Sequence, residues 1–151
     1  MPELKDKLRA DLATSMKARD TLRTRTLRMA LTAIKTEEVA GAVARELSDA
    51  DIVKVLTREA RKRREAAEAF ETGGRPDKAA AERAEAEVIA EYLPAQLADE
   101  ELASLVAAAI AETRAAGSRA MGQVMKAVTP KVAGRAEGAR VAAEVRRQLG
   151  T

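Results

Sequence analysis

The amino-acid sequence predicts an all-α protein, with a four-helix N-terminal domain followed by a small three-helix C-terminal domain. The first observation is composition, because the strong helix formers Ala, Leu, Glu, Lys and Arg dominate the chain. The second is periodicity, because apolar residues recur every three or four positions along successive segments. The third is the lack of aromatic and β-branched runs that favour strands; the aromatic residues are Phe70 and Tyr92 alone.

Composition also limits the chemistry available to the chain. Because Cys and His are both absent, disulfides and thiolate chemistry are excluded, and the commonest general base and metal ligand are missing. No nucleotide-binding glycine motif or serine-nucleophile motif is present either. We therefore predict no catalytic residue, no metal site and no cofactor.

Charge and hydropathy limit the partners. The net charge of +3 is too small to indicate a nucleic-acid partner unless the cations cluster. No apolar run approaches the roughly 20 residues of a membrane span, and the charged N-terminus is unlike a signal peptide. We expect a cytoplasmic protein without membrane contacts; the pattern fixes no oligomeric state.

Two amphipathic helices are predicted at the N-terminus. Apolar residues recur every four positions from Leu4 to Met16, which predicts a first helix over roughly residues 3–18. Asp20 is a typical N-cap for a second helix that runs to about Val39. Its apolar face covers about half of the helix circumference, so we expect this helix to be central and packed on two sides. That face comprises Leu22, Leu27, Met29, Ala30, Leu31, Ala33 and Ile34.

Two further helices complete the N-terminal domain. Ser48 is expected to cap a third helix over about 49–71, with Asp51 in place of the usual Glu of a capping box. Gly73-Gly74 ends that helix, and Pro76 begins the fourth. The fourth helix is expected to bury Ala81, Ala84, Val88, Ile89 and Tyr92. Pro94 closes it, which assigns 1–94 to the N-terminal domain and 95–151 to the C-terminal domain.

Three shorter helices are predicted in the C-terminal domain. Asp99 is expected to cap the fifth helix and Gly117 to end it. Pro130 is expected to stop the sixth helix, which leaves a basic loop from Lys131 to Gly138 before a last helix that ends near residue 149. The sixth helix turns Met121, Val124, Met125 and Val128 inward.

The segment around the sixth helix forms a structural motif of methionines, glycines and a proline. Glycine costs roughly 1 kcal/mol relative to Ala inside a helix, so its use in an Ala-rich chain indicates left-handed backbone or close packing. Gly138 falls on the predicted buried face of the last helix, which favours close packing there. The motif comprises Met121, Gly122, Met125, Pro130, Gly134 and Gly138.

Basic residues form two candidate binding surfaces. Lys131 and Arg135 flank a loop that leads into a helix N-terminus, where backbone N–H groups can receive phosphate. A solvated basic loop is the alternative interpretation. A secondary basic patch on the third helix is interleaved with acids, which is typical of a solvated helix face as well as of a phosphate-binding surface. That patch comprises Arg58, Arg61, Lys62 and Arg64.

Three charged residues project into apolar helix faces. Glu59 and Arg63 lie one turn apart in the third helix, and Glu85 lies in the fourth. Our hypothesis is a partly buried ionic network that fixes the packing of these helices. A catalytic carboxylate site is the alternative, but no nucleophile or metal motif accompanies the three residues.

The order of these segments resembles the GatB/YqeY family, stand-alone bacterial proteins related to the tail of the GatB subunit of the tRNA-dependent amidotransferase. The similarity covers essentially the whole chain, with departures at Ala98, where Ser or Thr is usual, and at Glu137, where Asp is usual. The matching segments are Leu27-Arg28-Met29, Ala33-Ile34-Lys35, residues 58–66, Ala69-Phe70-Glu71, Gly73-Gly74-Arg75, Ala84-Glu85, residues 92–97, Glu100-Glu101-Leu102, residues 121–125 and residues 130–138.

The resemblance implies an all-helical, two-domain protein whose C-terminal domain is of the type that holds tRNA in the amidotransferase. It also implies a link to carbon–nitrogen ligase activity with glutamine as amide donor, although the catalytic parts of that enzyme lie elsewhere. We therefore predict a non-catalytic accessory protein that binds tRNA or RNA backbone. A protein-interaction module and an accessory of a glutamine-dependent amidotransferase are the alternatives. The predicted contacts are Lys126, Lys131, Arg135, Arg140, Arg146 and Arg147.

Overall fold

A computed structural model describes residues 3–150 and contains seven α-helices and one short 3₁₀ turn in that range. No strand occurs among these residues, so the all-helical prediction is confirmed. The chain forms two compact units, the first ending at Leu93 and the second beginning at Pro94. The helices are α1 (Glu3–Lys17), α2 (Thr21–Glu38), α3 (Asp49–Thr72), α4 (Pro76–Ala90), α5 (Asp99–Thr113), α6 (Ala120–Val132) and α7 (Gly138–Leu149), with the 3₁₀ turn at Gly117–Arg119.

In the first unit, α2 and α3 each pack against all three other helices. The wide apolar face of α2 explains its position, because Leu27 and Ile34 are buried in one core with residues of the neighbouring helices. Tyr92 closes this core, and its hydroxyl donates to Asp11 Oδ2 at 2.6 Å. Burial, together with this hydrogen bond, raises the pKa of Tyr92 to about 12, so the hydroxyl remains a donor.

Short-range signals position most helix ends of the first unit as predicted, but α4 ends at Ala90, four residues before Pro94, which was expected to close it. The Asp20 carboxylate accepts from the backbone N–H of Arg23 at 3.0 Å, and Ser48 Oγ accepts from that of Asp51 at 3.2 Å. Each cap contributes about 1 kcal/mol. Gly73 is the C-cap of α3, and Pro76 is the first residue of α4.

The second unit packs α5, α6 and α7 against one another. Its core is mostly valine: Val124 and Val128 of α6 are fully buried with Val145 of α7. Met121 and Met125 are half-buried against the same core, so the inward face predicted for α6 is confirmed. The backbone N–H of Leu97 donates to the carbonyl of Arg135 at 2.8 Å, which ties the start of the unit to the loop before α7.

Three helix ends of the second unit were predicted wrongly. Pro130 does not stop α6, which continues to Val132. In the last turn a proline removes a single intrahelical hydrogen bond, so the helix can continue past it. The turn after α5 is made by Arg114 at φ 49°, before Gly117. Ala98 is the N-cap of α5, while Asp99 is its first residue.

Two further predictions were wrong. Gly122 and Gly138 are not closely packed, and three residues that were expected to be buried are exposed. A Cβ built on Gly122 or Gly138 meets nothing within 4 Å, and both residues are exposed. Gly134 does adopt left-handed backbone, at φ +74°. Exposed residues that were predicted to face inward are Met16, Met29 and Ala81. Helical spacing defines a face, whereas burial depends on whether a neighbouring helix extends over it.

Candidate nucleic-acid interface

The α6 helix lies in the longest acid-free basic stretch of the second unit. From Thr113 to Ala136 the sequence contains five basic residues and no Asp or Glu. On α6 the buried residues Val124 and Val128 define one face, and Lys126 lies two positions from each, on the opposite face. Arg119 precedes the helix and lies two turns before Lys126, so the two cations share the exposed side.

Four cations of the second unit are exposed and have no ion-pair partner among residues 3–150. Lys126 and Arg146 were among the contacts predicted from the sequence, whereas Arg114 and Arg119 were not. Their charges are available to an external anion. The signal that marks Arg114 and Arg119 is the absence of acids between Glu112 and Glu137 in the sequence.

Lys131 and Arg135 are engaged within the second unit. Lys131 Nζ lies 3.1 Å from Glu112 Oε2 in an exposed ion pair. Arg135 Nε donates to the carbonyl of Ala95 at 3.1 Å, and its Nη2 lies 3.9 Å from Glu101 Oε2. Arg135 therefore fastens the first residues of the unit to the loop before α7.

Arg140 and Arg147 also have internal partners. Arg140 Nη2 donates to the carbonyl of Leu97 and to Asp99 Oδ1, both at 2.7 Å. Arg147 Nη2 lies 2.5 Å from Glu144 Oε1, and hydrogen bonds from Arg147 and then Gln148 lower the pKa of Glu144 to about 2. Glu144 therefore stays ionised and offsets the charge of Arg147.

Three of the four residues in the secondary basic patch of α3 are paired with carboxylates as well. Arg58 Nη2 lies 3.2 Å from Glu37 Oε2, and Arg61 Nε lies 3.8 Å from Glu65 Oε1. Lys62 Nζ lies 3.6 Å from Glu59 Oε2. Arg64 is exposed and also has an interaction partner. These pairings favour the solvated-face interpretation of the patch.

The structure brings Glu59, Arg63 and Glu85 together. Arg63 and Glu85 are each 7% exposed, and Arg63 Nε lies 3.4 Å from Glu85 Oε2. Arg63 Nη1 lies 3.7 Å from Glu59 Oε2. Arg25 of α2 completes the cluster because its Nε donates to Glu85 Oε1 at 3.0 Å. The four residues connect α2, α3 and α4.

The chemistry of this cluster is that of an ionic contact between helices. Its carboxylates face arginines, and the part of the chain that the structure describes contains no group of three His, Cys, Asp or Glu placed to hold a metal ion. Carboxylates that face guanidinium groups across helices suit a packing contact.

Comparison with known proteins places the chain in a family. The model of the Yqey-like protein family matches residues 5–149. A comparison with curated proteins found no significant match. None of the helices in residues 3–150 combines the length and the apolar character needed to cross a membrane. Since the family match spans nearly the whole chain, the protein belongs to the YqeY-like family.

Proposed function

We propose that the protein is a non-catalytic accessory protein that binds RNA through the exposed face of α6. The observation that carries this proposal is the acid-free basic stretch around α6, together with the unpaired side chains of Arg119 and Lys126. Phosphate groups of an RNA backbone are the anions that a row of exposed Lys and Arg side chains contacts without further specificity. Arg114, before the 3₁₀ turn, and Arg146 of α7 are further unpaired cations of the same unit.

Recognition in this unit is expected to be of backbone and shape. No Phe, Tyr or Trp occurs between Pro94 and the C-terminal Thr151, so unpaired bases have no aromatic side chain to stack on. In the first unit Tyr92 is buried, whereas Phe70 is half-buried beneath Lys78 Nζ at 5.6 Å from the ring centroid. The predicted burial of Tyr92 is therefore confirmed, whereas Phe70 is only half-buried.

We infer tRNA as the favoured RNA from the resemblance to the amidotransferase tail, with delivery of tRNA to a glutamine-dependent amidotransferase as the corresponding role. The chain would supply binding alone, because it has neither Cys nor His and no recognisable nucleophile or nucleotide-binding motif. Lys131, Arg135, Arg140 and Arg147 would then act mainly by shaping the unit, since each already has an internal partner.

The test is tRNA binding by fluorescence anisotropy over a range of salt concentrations. Replacing Arg119 and Lys126 together by Ala should weaken binding and reduce the slope of log K against log salt by about 2, roughly one for each phosphate that the variant can no longer neutralise. The matched control replaces Arg45 and Arg83 by Ala. This removes the same net charge from exposed side chains that pair with carboxylates. It should leave the slope nearly unchanged.

Two outcomes would contradict the proposal. One is the absence of tRNA binding at low salt by the full chain. The other is an equal loss of affinity in the Arg45/Arg83 control, which would mean that net charge, not the α6 face, drives the interaction. Circular dichroism should show that both double variants keep the helical content of the parent chain.

A further inference from the structure

A cleft of about 450 Å³ opens between α1 and α2 in the first unit. Along α2 the cleft is lined by Leu31, Lys35 and the C-cap residue Val39, which are spaced four residues apart and therefore form one continuous ridge. Lys5 and Arg9 line the cleft from α1. The α2 wall is about 12 Å long at the 1.5 Å rise of an α-helix, which matches about two turns of a helix lying along it.

The floor of this cleft has apolar groups and few free hydrogen-bond donors. Leu31 is half-buried against the core, and Val39 is 56% exposed. Thr32 and Thr36 also line the cleft, but their hydroxyls donate to the backbone carbonyls of Arg28 and Thr32, each at 2.9 Å. Apolar contact with a partner would therefore contribute more binding free energy here than additional hydrogen bonds would.

The rim of the cleft is cationic. Glu38 is the only acid among the residues lining it, and it accepts from Lys5 Nζ at 2.8 Å. The hydrogen bond from Lys5 lowers the pKa of Glu38, which keeps this carboxylate ionised beside the ammonium group. Arg9 and Lys35 have no ion-pair partner among residues 3–150, so two positive charges remain beside the apolar wall.

We propose that this α1–α2 cleft binds an acidic amphipathic helix of a partner protein. Apolar side chains of that helix would cover Leu31 and Val39, and its flanking carboxylates would pair with Arg9 and Lys35. A nucleic-acid backbone would use the two cations but would leave the apolar wall uncovered, and no aromatic side chain lines the cleft to receive a base. The proposal concerns a different unit from the α6 face and does not rest on the RNA-binding function.

The test uses the full chain and a fluorescein-labelled peptide of about 18 residues, long enough to form a helix. The peptide has Leu at i, i+3, i+4 and i+7 and Glu on the flanking positions. There are two comparison peptides. One carries Lys in place of every Glu, and the other contains the same residues as the acidic peptide in scrambled order. The acidic helix should bind at least about tenfold more tightly than either, because both apolar and charge complementarity are required. Amide chemical shifts should change mainly at Thr32, Lys35 and Val39.

Variants localise the binding. Arg9→Glu with Lys35→Glu should weaken peptide binding by about tenfold or more, since two attractions become repulsions. Val39→Ser should weaken it by about fivefold, because less apolar surface is buried on binding. The matched control, Arg75→Glu with Arg83→Glu, makes the same charge change at exposed residues that do not line the cleft, and should change affinity by less than about twofold. Thermal unfolding should confirm that each variant is folded.

The proposal would be overturned by failure of the acidic peptide to bind at low salt, by equal binding of the scrambled peptide, or by an equal loss in the Arg75/Arg83 control. It would also be overturned if the Arg9/Lys35 variant lost RNA binding but kept peptide binding. A concentration-dependent dimer that the Arg9/Lys35 change abolishes would also overturn it, because the occupant would then be a second copy of the chain. The Arg119/Lys126 variant should bind the peptide normally, which separates this proposal from the RNA-binding one.

Discussion

Arg63 has a buried guanidinium group between carboxylates from its own helix and from α4. Glu85 Oε2 lies 3.4 Å from its Nε, and Glu59 Oε2 lies 3.7 Å from its Nη1. Removing one partner of a buried ion pair leaves the other charge without compensation, which costs more than the intact pair gains. The cluster therefore makes the packing of α2, α3 and α4 sensitive to single substitutions.

We expect Glu85→Ala to lower the free energy of unfolding by about 3 kcal/mol, because Arg63 would keep only the more distant Glu59 carboxylate as an ion-pair partner. Urea denaturation followed by circular dichroism measures this value. Arg83→Ala is the matched control, since its exposed pair with Glu71 should contribute less than about 1 kcal/mol. A change below about 0.5 kcal/mol for both Glu85→Ala and Arg63→Ala would show that the cluster is not a stabilising contact.

The sequence identified these buried charges but not all of their partners. Glu59, Arg63 and Glu85 were visible because each interrupts an apolar face at helical spacing. Arg25 was not, because its hydrogen bond to Glu85 joins residues 60 positions apart. The same limit affected the basic residues: Arg135 and Arg140 were interpreted as free cations, whereas the structure brings them to carbonyls 40 and 43 residues away.

At the scale of the element, local signals were more reliable for caps than for glycines. Asp20 and Ser48 cap their helices because the hydrogen bond spans only three residues. Gly134 has the left-handed backbone that its residue type indicates, at φ +74°. Gly122 and Gly138 do not, and nothing packs against them, so their residue type is not explained by the fold.

Opposite effects are therefore expected from alanine at two glycines of the second unit. Gly134→Ala should destabilise by about 1–2 kcal/mol, because a Cβ is unfavourable in left-handed backbone. Gly122→Ala should stabilise by up to about 1 kcal/mol, because it raises helix propensity in α6 without creating a contact. Thermal and urea unfolding of the full chain measure both changes. Destabilisation by Gly122→Ala would indicate a close approach at that position that the fold does not show.

At the scale of the whole molecule, each unit has a hydrophobic core of its own. The first core contains Leu27, Ile34 and Leu56, and the second contains Val124, Val128 and Val145. Two compact units with separate cores are typical of domains that fold independently. We therefore propose that residues 1–93 and 94–151 are separate folding domains.

The two fragments should differ in stability when they are expressed separately. The shorter one, residues 94–151, buries a smaller fraction of its surface, as do other chains of roughly 60 residues. We expect it to unfold cooperatively in urea with a free energy below about 5 kcal/mol, and the longer fragment to be more stable. A second unit that shows no cooperative transition would contradict independent folding. If it folds alone, tRNA binding by this fragment, and its loss in the Arg119/Lys126 variant, would assign the RNA-binding surface to the second unit without any contribution from the α1–α2 cleft.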